Sequence, residues 1–134
     1  MAELMRLRIP MGWTISYNRL FDANPIEDDD GSGWVTNWFE GFTEDVLWIQ
    51  ECKYDGKKYS APKSHSFHID ISWLPGNSIS GQYYAKLQWC SDDELINVAQ
   101  IDSQNRFEIR DKLEFWMSDI SENYPEWREK MLKL

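Results

Sequence analysis

A chain of 134 residues and 16.0 kDa is the size of one ordinary domain, and 42% hydrophobic with 15% aromatic residues is too apolar for a disordered acidic tail. The apolar runs are only a few residues long, which excludes a membrane-spanning helix, and Met1–Met11 holds two arginines but no apolar stretch of signal-peptide length. The net charge of −9 has one source: the 33 residues from Leu20 to Cys52 carry nine acids and no Lys or Arg, and elsewhere acids and bases balance. Such an excess repels nucleic acid and anionic lipid, both of which need Lys and Arg to neutralise phosphate, and it attracts cationic partners. The expected location is the cytoplasm, with Met5 and Met11 as alternative starts.

Trp13, Ile15 and Tyr17 alternate with Thr14, Ser16 and Asn18, the period of a half-buried strand. Asp22–Trp38 contains Pro25, Asp28-Asp29-Asp30-Gly31 and a Gly-Ser-Gly triplet without sustained periodicity, so it reads as a long loop, functional or poorly ordered. Asp45–Tyr54 reads as a strand apolar on both faces, hence a central one. Asp55–Lys58 is a turn, followed by a loop from Ser60 to Ser64.

The clearest pattern is Ser66–Trp73. Phe67, Ile69, Ile71 and Trp73 form a core face, and Ser66, His68, Asp70 and Ser72 a solvated one. After Pro75-Gly76-Asn77 the pattern repeats over Gly81–Cys90. Tyr83, Ala85, Leu87 and Trp89 point inward; Tyr84 and Lys86 point outward, near His68 and Asp70. The short link makes these two strands an antiparallel hairpin. A charged turn at Ser91–Glu94 leads into a strand over Leu95–Asp102.

From Asn105 the apolar spacing changes to three and four: Ile109, Leu113, Trp116, Met117 and Ile120 form one helical face. Asn105 suits the N-cap, with Glu108 placed for a capping box. Tyr124-Pro125 ends this helix, and Trp127, Met131 and Leu134 mark a short second one. Strands first and helices last predict an α+β fold. Its curved antiparallel meander of five or six strands packs on the C-terminal helix, and residues 1–134 form a single domain.

No catalytic constellation stands out. The only histidines, His65 and His68, enter a strand, where a spacing of three puts them on opposite faces. Neither a nucleophile elbow nor a phosphate-binding loop is present. A glycosidase needs two carboxyls at a defined separation, which sequence spacing does not reveal. An EF-hand register counted back from Gly31 places Ile26 where the first acid belongs, which leaves only a weak, different calcium site at Asp28–Asp30. Cys52 and Cys90 are expected to be reduced thiols packed as small apolar residues. Trp48, Trp73, Trp89 and Trp116 fall on apolar faces and are expected in the core. Trp34 and Trp38 flank the acidic segment as candidate binding anchors, although folding back to plug one end of the sheet is preferred for at least one of them.

Gly12-Trp13-Thr14, Phe42-Thr43-Glu44-Asp45-Val46-Leu47, His68-Ile69-Asp70-Ile71-Ser72-Trp73-Leu74-Pro75 and the closing Ile109-x3-Leu113-x2-Trp116 span most of the chain. In these motifs the chain resembles small bacterial immunity proteins encoded beside polymorphic toxins, of the contact-dependent inhibition and wall-associated YD-repeat type. It departs from them in long inserts around Asp22–Trp38 and Lys57–Ser64. The resemblance implies a non-enzymatic protein that binds one cognate toxin domain, often a nuclease. On this reading Asp28, Asp29, Asp30, Glu40, Glu44 and Asp45 supply charge for a cationic toxin and Trp34 and Trp38 supply apolar anchoring. No catalytic residue, metal or cofactor is assigned. The alternative is a small-ligand or carbohydrate-binding module using exposed tryptophans.

Overall fold

The computed structural model describes residues 2–62 and 64–133. Strands β1 (Trp13–Asn18), β2 (Leu47–Glu51), β3 (Lys53–Tyr54), β4 (Tyr59–Ser60), β5 (Ser66–Leu74), β6 (Gln82–Ser91) and β7 (Glu94–Ser103) precede helices α1 (Arg106–Glu122) and α2 (Tyr124–Leu132). Five of the strands make one antiparallel sheet in the order β1-β2-β5-β6-β7, and β3 with β4 form a separate hairpin. The architecture is therefore α+β, a meander backed by the C-terminal helices.

Period-two alternation becomes a core because opposite residues on neighbouring strands share a face. Phe67 lies across from Trp89, Ile69 from Leu87, Ile71 from Ala85 and Trp73 from Tyr83. All eight are buried beneath α1, whose Ile109, Leu113, Trp116, Met117 and Ile120 form the facing stripe. Each fully buried Leu, Ile or Phe in this layer contributes about 1.5–3 kcal/mol over its exposed state. Trp13 anchors β1 to the helix by donating from its indole to Ser121 Oγ at 3.0 Å. On α2, Met131 is buried, and Trp127 packs edge-on against Phe67 while donating to Asp119 at 2.8 Å. Leu134, placed by spacing on this second helix, lies outside the described residues.

Several expectations are corrected. The strand read as Asp45–Tyr54 begins at Leu47 and breaks at Cys52. There Glu51 turns its carboxylate to accept Phe67 N–H at 2.6 Å, while Cys52 N–H goes to Gly12 O at 2.8 Å. A side chain thus replaces the next rung of the β2–β5 ladder. The capping box does not close either: Asn105 accepts from Phe107 N–H, but Glu108 accepts from the Ser103 hydroxyl. In β1, Ile15 and Tyr17 are both exposed on this edge strand, and a bulge between them shifts the register. Ile15 faces Ile49 and Tyr17 faces Trp48, so Tyr17 turns to the side away from the helices. Trp48 is half-buried on that same side and is not part of the core. Ser66 and His68, expected in solvent, are buried there, with the His68 ring 5.1 Å from that of Trp48.

Candidate functional site

The acidic segment is ordered by main-chain pairing. Asp28 N–H donates to Trp34 O and Thr36 N–H to Ile26 O, both at 2.8 Å, with Glu27 opposite Val35. Residues 26–28 and 34–36 therefore form a short two-stranded ribbon. Its tip is a chain of side-chain-capped turns: Asp28 Oδ1 accepts from Asp30 N–H, Asp30 Oδ1 from Ser32 N–H, and Ser32 Oγ from Trp34 N–H. Asp and Ser suit these positions because their short side chains reach the amide two residues on. The Ser32 hydroxyl and amide hold the Asp30 carboxyl below its ordinary range.

The other edge of the ribbon is tied to the β5–β6 connection. Val35 N–H donates to Asn77 O at 2.9 Å and Ile79 N–H to Gly33 O at 2.8 Å. Val35 is fully buried, and strand alternation sends its neighbour Trp34 to the opposite, solvent side. Trp34 is 46% exposed and Ile26 57%. Asn37 clamps the base of the ribbon: its buried amide accepts from Ile26 N–H at 2.8 Å and donates to Asn24 O at 2.9 Å and Glu40 Oε1 at 3.2 Å. Gly41, with φ of +102°, then reverses the chain where a side chain would strike the Arg19 carbonyl.

The predicted site residues fall in several places. Asp28, Asp29, Asp30 and Trp34 share the ribbon. Trp38 sits beyond Asn37 on a 3-10 turn, Trp38–Glu40, 42% exposed and edge-on to the exposed Phe39. Neither Trp34 nor Trp38 plugs the sheet. Phe42 does, packing 4.9 Å from Trp73 and 6.2 Å from Tyr83. Glu40, expected to supply surface charge, is buried between Asn37 and the Ala2 amide, so its role is structural. Glu44 lies over Gly76, beside the connection that carries the ribbon. Asp45 lines a different cavity, with Tyr17, Val46, Leu47, Trp48 and Asp70.

Of the remaining acids, Asp22 is paired with Arg106 at 2.8 Å and Glu51 is buried. Burial pushes the Glu51 carboxyl up, against the pull of the Phe67 amide, Lys53 and Arg128. Among the described residues no ion pair engages Glu27, Asp28, Asp29, Asp30, Glu44 or Asp45.

Sequence reasoning missed Ile26 and Phe39 as exposed apolar neighbours of the acids, and Asn37 as their organiser. The Asn37 clamp carries no local signal, since its partners are 11 and 13 residues away. Ser64 Oγ and His65 Nδ1 lie 3.1 Å apart, but no carboxylate among the described residues orients that imidazole. Among the described residues no group of three or more metal-ligating side chains converges, and no helix is long and apolar enough to cross a membrane. Comparison with known proteins finds no matching family model, no similar curated protein and no similar solved structure.

Proposed function

We propose that the chain is an immunity-type inhibitor: a non-catalytic cytoplasmic protein that binds a cationic toxin domain, of the nuclease class, and neutralises it. The observation that carries this reading is the ribbon. Its three successive aspartates form no ion pair among the described residues and are held by backbone bonds next to exposed Trp34 and Ile26. Unpaired acids in a cation-free segment steer a basic partner toward this end of the molecule, and pre-ordered turns lower the entropy lost on docking. An exposed tryptophan beside them provides the apolar anchor that charge alone lacks. A groove built for phosphate is the complementary surface.

The test is the association rate of the chain with a basic nuclease toxin domain, at low and high salt. The expected result is a fall of at least tenfold between about 0.01 and 1 M ionic strength. Replacing Asp28, Asp29 and Asp30 together by Asn should remove most of that salt dependence, and Trp34→Ala should speed dissociation. A rate indifferent to salt and to these changes rejects the reading.

The exposure of Trp34 and Trp38 also supports a second reading, a carbohydrate-binding module. Saturable quenching of tryptophan emission by oligosaccharides, lost in Trp34→Ala or Trp38→Ala, would favour it over the first.

A further inference from the structure

The side of the sheet that faces away from the helices holds a cavity of about 310 Å³ lined by Tyr17, Asp45, Val46, Leu47, Trp48 and Asp70. Its construction follows from strand register. The bulge at Ser16 brings Tyr17 across from Trp48, and Trp48 in turn lies across from Asp70. Two aromatic rings and a carboxylate thus come side by side from three adjacent strands. Asp45, just before β2, adds a second carboxylate. The volume is at the small end of ligand pockets, which run from about 300 to 1,000 Å³, and suits one side chain rather than an extended polymer.

We infer that this cavity receives a single guanidinium group, the side chain of an arginine presented by a protein partner. Four observations support the occupant. Asp70 is half-buried, yet among the described residues it accepts no hydrogen bond and forms no ion pair within 4 Å, even with Lys86 directly across β6. A partly desolvated carboxylate that has no protein donor gains more from an approaching cation than one in open water. Burial pushes its carboxyl up, with Lys86 pulling it down and Asp45 pushing it further up.

The Arg19 guanidinium, two residues along the chain, lies 5.7 Å from the Tyr17 ring centroid, within cation–π range. Arg19 makes no ion pair with Asp45 or Asp70 among the described residues, so it does not neutralise the cavity. Finally, Trp48 is braced edge-on by His68. Burial pushes the His68 imidazole down, so the brace is neutral near pH 7 and does not compete for the acids. A planar guanidinium bonds two carboxylates through its fork while stacking on an aromatic face, which an ammonium does not do.

That the arginine belongs to a toxin rests on the function proposed above; the affinity of the cavity for guanidinium does not. The experiment titrates the full chain with N-acetyl-arginine methylamide and follows the Trp48 indole and Tyr17 ring signals by two-dimensional NMR. N-acetyl-lysine methylamide and N-acetyl-norleucine methylamide serve as controls. The expected result is saturable shifts confined to residues around the cavity, with an affinity at least about tenfold weaker in Asp70→Asn. The exposed-mouth variant Asp45→Asn should bind roughly threefold more weakly, which keeps the test decisive if Asp70→Asn does not fold. Asp28→Asn should leave the titration unchanged. No saturable shift, equal binding of the lysine or norleucine compound, or indifference to both cavity variants overturns the inference. Arginine binding that persists when the salt dependence of toxin association is absent leaves the cavity standing and rejects only the ribbon's role.

Discussion

Trp73 and Trp48 lie on neighbouring strands of one sheet and meet opposite fates. Trp73 is on the side that α1 covers. Its ring is 1% exposed, lies 4.9 Å from both Phe42 and Tyr83, and donates to Ser78 O at 2.9 Å. The fit is close enough that a side chain at Gly81 would collide with the indole. Trp48 is on the uncovered side, half-buried, with His68 against it and a cavity holding two carboxylates beside it. One side of the sheet is a packed interior where volume is conserved. The other is a platform on which polar groups are partly desolvated without being enclosed, and such half-dry surfaces are where charge interactions strengthen.

Removing each indole is the sharpest way to break this contrast. Trp73→Ala should cost about 3–5 kcal/mol, because a fully packed ring leaves a cavity. Trp48→Ala should cost less than about 1.5 kcal/mol, because the ring packs on one side only. Urea denaturation reads both, and equal losses would mean that the two sides are not different in kind. Asn37→Ala comes next, at about 1–3 kcal/mol, since it strands the Ile26 amide and removes one of the two donors to the buried Glu40 carboxylate. Faster hydrogen exchange at Asp28 and Thr36 should accompany it, locating the loss at the ribbon.

A smaller effect separates the two sides by pH. The Glu51 carboxyl is raised by burial above its ordinary value near 4.5. As pH rises from that value the unfolded chain ionises first, so this group's contribution to stability is lost on passing through the folded pKa. Glu51→Gln should therefore flatten the decline of the urea midpoint over that range. His68 has the opposite sign: lowered by burial, it costs stability as pH falls below its ordinary value near 6.5, and His68→Gln should remove that loss. The smallest expected change is Tyr83→Phe. The Tyr83 hydroxyl is buried with no partner among the described residues, so its removal should leave stability unchanged or raise it by up to about 1 kcal/mol. A clear loss in thermal unfolding would reveal an unseen hydrogen bond on the covered side.

The covered side was legible because its signal is local. Phe67-x-Ile69-x-Ile71-x-Trp73 and Ile109-x3-Leu113-x2-Trp116 each state which residues share a face, and short links leave an antiparallel meander as the simple assembly. The surface was legible only in part. Asp28, Asp29, Asp30 and Trp34 lie on one ribbon, as their closeness in sequence suggests. The surroundings of Glu40 and Trp48 were not legible, because each depends on a partner distant in sequence. Glu40 is enclosed by the Ala2 amide, and Trp48 is paired through register with Tyr17 and Asp70.

By itself the chain determined its elements, their order and its apolar layer, since hydrophobic periodicity is written residue by residue along each strand and helix. Only the tertiary structure decided where nine neighbouring acids went: onto a ribbon tip, into an ion pair with Arg106, into the interior or beside a cavity. Charge is additive along a sequence, but its surroundings are not. They are set by which side the helix covers, where a strand bulges and which loop is stitched to which turn.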